Sequence, residues 1–401
     1  MNFKNLLGGS ALIALASCST LNKIKQTQAN ITSLKFLHEY VIPYDTKFAN
    51  TAVGGLSGID YDAKNDRYFF ISDDRSDKNP ARLYEGKIIV STKATDSDYT
   101  ATRIDTAYFT NVVFMLQPNG NTYPNNKQDP YHTPDPEALR YNPNKQQLIW
   151  SSEGERIVKP NTTVLEDPSI DIIGMNGKFI DSFPLPDNLR MHAEEKGPRQ
   201  NGVLEGMTFA DDYKTLYVNV EEPLYEDGPR ADVMNKPYFI RILKFDAKTK
   251  ANIGQFIYPL SPVAHAPNPP DAFKINGVPD ILSIGQDKLL VIERSFSTGR
   301  LACTIRVFEA DLTEVTNVSD KPFSPNVPYV KNAGVPHKSP MRIINKKLLL
   351  NMDDLGIYID NIEGVTFGPT LPNGHKTLIF VADNNFAPLE KAQLLLFEVI
   401  E

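Results

Sequence analysis

Cysteine is almost missing from this chain: among 401 residues only Cys18 and Cys303 occur. A disulfide-stapled scaffold and a thiolate zinc site are thereby excluded. The six histidines (His38, His132, His192, His265, His337, His375) are scattered and form no His-x-x-x-His pair, which removes the common imidazole zinc motifs. Basic excess is lacking too. The formal charge is −7 at pH 7, the wrong sign for a nucleic-acid face and a favourable one for attracting cations. There is no Gly-x-Ser-x-Gly elbow, no P-loop and no dinucleotide-binding glycine cluster. Ser57 in GGLSGID has flanking glycines but stands at a strand start, so it reads as structural rather than nucleophilic. No apolar run reaches the roughly 20 residues of a membrane-spanning helix.

What is present begins with an address. In MNFKNLLGGSALIALASCS the apolar run from Leu6 to Ala16 is too short to span a bilayer and follows Lys4, as in an export signal. Leu15-Ala16-Ser17-Cys18 resembles the lipobox of bacterial lipoproteins, in which cleavage precedes the cysteine and its thiol carries lipid. The expected organisation is a signal peptide over residues 1–17, a lipidated Cys18 with a polar tether over 18–33, and one folded domain over 34–401. The expected location is the bacterial cell envelope, lipid-anchored at the outer membrane. Cys303, in the apolar run CTIRVFEA, reads as a small core residue.

A phrase then recurs five times: LSGIDYDAKNDRYFFISDD, PEALRYNPNKQQLIWSSEGE, LEGMTFADDYKTLYVNVEE, PDILSIGQDKLLVIER and IEGVTFGPTLPNGHKTLIFVADNN. Each copy is an apolar strand, a turn rich in Asp, Asn, Gly or Lys, and a second apolar strand, the pattern of an antiparallel hairpin. Further strand-like runs follow each copy, giving about four strands per unit. Unit starts at Ser57, Glu137, Glu205, Asp280 and Glu363 are separated by 80, 68, 75 and 83 residues. This periodicity predicts an all-β fold, a β-propeller of four-stranded antiparallel blades, with five or six blades. The last unit has room for three strands only, so the N-terminal run SLKFLHEYVIP is expected to supply the fourth and close the ring. MRIINKKLLLNMDD is either a degenerate sixth unit or a helix.

The phrase also carries acids at both ends of its hairpin. The start of one antiparallel strand lies beside the end of the next. That pairs Ser57 with Asp73, Glu137 with Glu153 and Glu205 with Glu221, each 16 residues apart, and likewise Glu363 with Asp383 and Asp280 with Glu293. In a propeller these ends converge on one mouth of the central channel, with Asp74, Glu222, Asn384 and Asn385 beside them. Such a ring needs raised pKa values, arginine partners or bound cations. Arg75, Arg156 and Arg294 follow strand ends and would serve as partners. Oxygen donors without Cys or His point to Ca²⁺, with Mg²⁺ as the alternative. The expected ligands are Glu137, Glu205, Glu363 and Asp383. Glu153, Glu221 and Asp73 are expected as further ligands or as the base for a water. His132, in YHTPDPEAL just ahead of Glu137, is the histidine favoured for any catalytic role.

Together, GGLSGIDYD…FFISDDRS, PEALRY…IWSSEGE, LEGMTF…LYVNVEE and NIEGVTF…IFVADNNF resemble the phytase-like family, "esterase-like activity of phytase", over roughly Leu34 to Glu401. The resemblance implies hydrolysis of phosphate esters. It also implies a distant relation to calcium-dependent propeller phytases, although no ligand can be carried over from them individually. On that reading the protein is an exported, monomeric, metal-dependent hydrolase of a small phosphorylated or ester substrate. Arg75, Arg294 and Arg300 would then receive the phosphate. The alternatives are a non-catalytic ligand- or protein-binding propeller, and a lactonase-type hydrolase with one central ion, for which Asn384 and Asn385 are available.

Overall fold

In a computed structural model, residues 31–93, 102–319, 323, 329–330 and 341–401 are described; the expected signal peptide, Cys18 and most of the expected tether lie outside them. Five four-stranded antiparallel sheets stand around one axis. Blade 1 comprises Leu56–Asp62, Arg67–Ser72, Arg82–Thr92 and Thr102–Phe114, from the axis outward. Blade 2 comprises Pro136–Asn142, Gln147–Ser152, Ser169–Gly174 and Phe179–Ser182, and blade 3 comprises Leu204–Ala210, Thr215–Val220, Tyr238–Asp246 and Asn252–Leu260. Blade 4 comprises Ile281–Gly285, Lys288–Ser297, Thr304–Asp311 and Asn345–Asn351, with Lys274–Gly277 added beside its second strand. Blade 5 comprises Asn361–Phe367, Thr377–Asp383, Ala392–Ile400 and, on its outer edge, Ser33–Ile42.

The N-terminal run therefore closes the ring as expected, pairing from Ser33 with Ile400 to Ile42 with Ala392. The ambiguous stretch resolves into neither a sixth unit nor a long helix. Asn345–Asn351 is the outer strand of blade 4, and a single 3₁₀ turn, Met352–Leu355, follows it.

The second strands are buried on both faces, which is why they read as unbroken apolar runs such as RYFFIS. Alternate side chains serve alternate neighbours. Phe69 and Ile71 pack with Leu139 and Trp150 of blade 2, while Tyr68 and Phe70 pack with Ile379 and Val381 of blade 5. The same division repeats around the ring. Met207 and Val218 meet Ile149 and Ile170 between blades 2 and 3, Ile240 meets Ile281 and Val291 between blades 3 and 4, and Ile292 meets Val365 and Phe380 between blades 4 and 5. One apolar core fills each of the five interfaces.

Near the axis the packing is backbone against backbone, and this accounts for the glycine that follows the acid in two copies. A Cβ on Gly206 would come within 2.5 Å of the Asp280 Cα in blade 4, and one on Gly364 within 3.0 Å of the Ser57 carbonyl oxygen in blade 1.

The channel itself is plugged. Arg140 of blade 2 reaches across it, donating to the carbonyls of Ile59 (2.8 Å) and Ile281 (3.1 Å) and to both oxygens of Asp280 (2.8 Å each). Asp280 also accepts from the Val365 amide (2.8 Å), and Asp60 accepts from the Tyr141 amide (2.7 Å). One buried cation thus ties together the inner strands of four blades. Arg140→Met would leave Asp280 as an uncompensated buried charge. Urea unfolding should then show a loss of about 3–5 kcal/mol; a loss below about 1 kcal/mol would show that the axial pair does not hold the ring.

Candidate functional site

Four of the five inner strands carry a bulge where the repeat places its acid or serine. The ladder skips between Leu56 and Gly58, Pro136 and Leu139, Leu204 and Met207, and Ile362 and Gly364. A bulge leaves a residue unpaired and re-aims its side chain. Glu137, Glu205 and Glu363 are released in this way to face the mouth, whereas Ser57 bonds the Glu137 carbonyl (2.8 Å) and stays structural.

The acids at the far ends of the second strands arrive by a different register from the expected one. Glu153 lies opposite Asp135, its amide donating to the Asp135 carbonyl (3.1 Å); Glu221 bonds to Val203 (2.8 Å) and Asp73 to Gly55 (2.6 Å). Asp135 is the member that sequence reasoning missed. Its signal was in plain view, since Asp135 and Glu137 are two apart and project to the same side of an extended segment.

The result is two overlapping groups of carboxylates that share Glu137. Oxygens of Asp73, Asp135 and Glu137 lie within 4.8 Å of one another, as do those of Glu137, Glu153 and Glu205. All but Asp73, which is half-buried, are more than nine-tenths buried. Burial, with Glu205 and Asp73 next to it, raises the Glu137 carboxyl well above the usual range. Burial, then the charges of Glu153 and Glu221, does the same to Glu205. Burial and Asp135 push Glu153 up to about 7, even though its hydrogen bond with Glu205 and the Val203 amide pull the other way. Asp73 is likewise raised by burial and by Asp135, Asp383 and Glu363. Burial and mutual repulsion thus favour the protonated form of these acids, with Glu205 facing Glu153 and Asp73 facing Asp135.

The other side of the mouth is neutralised differently. Blade 4 contributes no acid to it. Asp280 is turned down to Arg140, and Glu293 is turned away to Lys346 and to Tyr258 Oη (2.9 Å). In their place blade 4 supplies Arg294, which donates to Glu221 of blade 3 (2.8 Å) and to Glu363 and Asn361 of blade 5. Asp383 completes this side next to Glu363, raised by burial and by that neighbour. Glu363 Oε2 is buried without a hydrogen-bond partner. Arg75 borders the first side, donating to Glu155 and lying 3.7 Å from Asp135.

Other expected residues stand elsewhere. Arg300 is exposed on the turn after Ser297. Arg156 holds the carbonyls of His192, Ala193 and Glu194. His132 pairs with Asp129 in solvent (2.8 Å). Asn384 braces the Gly55 amide (3.1 Å), and the Asn385 side chain binds Glu390 (2.7 Å). Cys303 is buried, its thiol pushed up to about 11 by burial.

The site can hold a hard divalent cation. Its donors are carboxylate oxygens from several blades, no imidazole or thiolate is among them, and one buried oxygen nearby lacks a partner. Asp73, Asp135 and Glu137 form one donor set that would hold it, and Glu137, Glu153 and Glu205 form the other.

Several solved propellers are similar to this chain in outline. The Dos1 propeller is 7% identical over 91% of this chain and 95% of its own, with a TM-score of 0.30. The periplasmic gluconolactonase of Pseudomonas aeruginosa is 11% identical over 92% and 95%, with a TM-score of 0.33. A bifunctional GH43-CE protein of Bacteroides eggerthii is 11% identical over 92% of this chain but 34% of its own, with a TM-score of 0.37. None of these likenesses carries an argument about activity. No curated protein matches the sequence. A family model does match, over residues 51–386, a span that takes in every carboxylate of the mouth. The chain belongs to the phytase-like family described as "Esterase-like activity of phytase".

Proposed function

We propose that this protein is a metal-dependent hydrolase of phosphate esters, with its site at the acidic mouth. The observation that carries the proposal is the side of the mouth formed by blades 1 to 3. There five carboxylates converge, and among the described residues the one ion pair to any of them is Arg75 at 3.7 Å from Asp135, while Arg294 is bound to Glu221 and Glu363. Family membership supports the same class of reaction.

Ca²⁺ fits the donor set, with Mg²⁺ as the smaller alternative. A bound cation would offset the carboxylates and polarise a phosphoryl oxygen. The chain's own residues account for the rest. With a cation held by Asp73, Asp135 and Glu137, Glu153 would stay available: burial and Asp135 raise its carboxyl to about 7, so it is suited to accept a proton from water and return it to a leaving alkoxide. Glu221 fixes Arg294 and Glu155 fixes Arg75, which leaves two oriented guanidiniums flanking the acids for the oxygens of an anionic substrate. Asp73, the most accessible carboxylate, marks the side from which substrate enters. Export and lipid attachment at Cys18 would place this activity at the cell envelope.

The direct test is turnover of aryl phosphate monoesters and diesters with Ca²⁺, Mg²⁺ or chelator. Cation-dependent turnover is expected. Glu153→Gln should lower kcat by about 10²–10⁴-fold. Binding of Ca²⁺ with no turnover of any phosphate or carboxylic ester would instead assign the mouth to a binding protein.

Metal removal gives a second prediction, with a definite sign against pH. Glu153 titrates near 4.5 when unfolded and about 7 in the fold, so the fold retains a proton that the unfolded chain releases. The metal-free protein should therefore lose stability as pH rises through that interval. Ca²⁺ should restore it at high pH, by about 2.7 kcal/mol at one hundred times its Kd. Thermal melts in chelator and in Ca²⁺ at pH 5 and pH 8 read both effects, and a Tm indifferent to Ca²⁺ at pH 8 would remove the cation from the mouth.

A further inference from the structure

Among the described residues, every large exposed apolar side chain outside a strand lies on a connection of the acid-bearing face. The described residues of the opposite face, with turns such as 143–146 and 211–214, expose none outside a strand. Two side chains reach furthest into solvent: Leu301 is 88% exposed and Leu389 is 91% exposed.

Their loops form one connected edge over blades 4 and 5. The Thr298 amide and hydroxyl both donate to the Phe273 carbonyl (2.9 Å each), joining the loop before blade 4 to the turn that carries Leu301. Tyr358 Oη donates to the Leu301 carbonyl (3.0 Å), and the Lys391 ammonium lies 5.3 Å from the Tyr358 ring. Tyr44 Oη donates to the Phe386 carbonyl (3.1 Å) in the loop that carries Leu389. Beside Leu301 stands Arg300, exposed and without an ion-pair partner among the described residues.

We propose that this edge docks the protein on a lipid surface. Leu301 and Leu389 enter the acyl boundary, Tyr358 and Tyr44 lie at headgroup depth, and Arg300 meets lipid phosphate. Each element has a physical reason. Leucine in water gains free energy on transfer to hydrocarbon. Tyrosine, with an apolar ring and a polar tip, suits the interface. A guanidinium without a protein partner complements an anionic headgroup.

A second protein is the less suitable occupant. Leu301 and Leu389 stand on separate connections, each an isolated apolar tip in its own loop, whereas a stable protein interface buries about 800 Å² per partner. A fluid surface admits separated tips, as it admits the apolar side of an interfacial segment. Docking through this edge turns the acidic mouth toward the headgroups, because both belong to the same face. The proposal stands whether or not the mouth is catalytic.

Vesicle co-sedimentation tests it. Every strand of the ring lies between Ser33 and Ile400, so a chain of residues 31–401 retains all five blades and leaves out Cys18 and the apolar run before it. That chain should partition onto phosphatidylcholine vesicles containing phosphatidylglycerol. The double variant Leu301→Ser/Leu389→Ser should partition at least about ten-fold less at an unchanged Tm. Arg300→Gln should weaken binding to the anionic vesicles more than to pure phosphatidylcholine. As a control, Ile253→Ser/Leu348→Ser, exposed on outer strands, should bind as the parent does. Absence of parent binding, or equal binding by the leucine double variant, would overturn the proposal. A parent dimer in sedimentation velocity that the leucine variant abolishes would also overturn it, and would assign the edge to a second copy.

Discussion

Five inner strands converge on one axis, and the crowding there governs the rest of the molecule. At that radius there is room for backbone and for very few side chains. The repeat therefore carries glycine where strands touch, as at Gly206 and Gly364, and each blade keeps its apolar bulk further out in the interfaces. The polar groups left at the centre are removed from water and must find charge and hydrogen-bond partners within the protein. Arg140 does this midway along the axis, joining four blades through one guanidinium. The mouth meets the same demand with carboxylates, and only part of it is met.

That incompleteness sets one side of the mouth apart from the other. Where Arg294 bridges Glu221 and Glu363, the ring is an ion-pair network of the kind that stabilises many folds. Across from it, Asp135, Glu137, Glu153 and Glu205 are buried beside the half-buried Asp73, and burial with mutual repulsion raises their carboxyls. Such an arrangement is unfavourable for stability alone, and perturbed carboxylates gathered in this way are a mark of functional sites. The bulges carry the same message. They interrupt the ladder at the positions where a side chain has to leave the plane of the blade.

The two faces of the disc differ in a way that matches this division. One end of the strands is joined mostly by short turns rich in Asp, Asn, Gly and Lys, the exception being residues 312–344 of blade 4, where Val318, Phe323 and Ile343 pack on Phe239 and Ile257. The other end carries the long connections, the buried acids, the arginines that hold loop carbonyls, and the exposed leucines and tyrosines. Rigid strands set the positions of the carboxylates, and longer loops on the same side decide what can approach them.

Much of this was legible in the sequence, for identifiable reasons. Paired apolar runs on either side of a polar turn, in five similar phrases, marked the hairpins, and the shortage of residues after Glu363 called for an N-terminal strand in the last blade. Acids at strand ends pointed to one mouth, because antiparallel pairing brings those ends together. What the sequence left open depends on register. A shift of one residue in a strand reverses the side to which a side chain points, and bulges and strand ends make such shifts without a compositional signature. Only the folded chain decided that Asp280 and Glu293 leave the ring, that Arg294 fills the place of an acid in blade 4, and that Asp135 joins the carboxylates. Only the fold, too, made Asn345–Asn351 an outer strand of blade 4 rather than a sixth unit. Local pattern determines which segments become strands; the neighbours that each strand meets in space determine which charges end up facing one another.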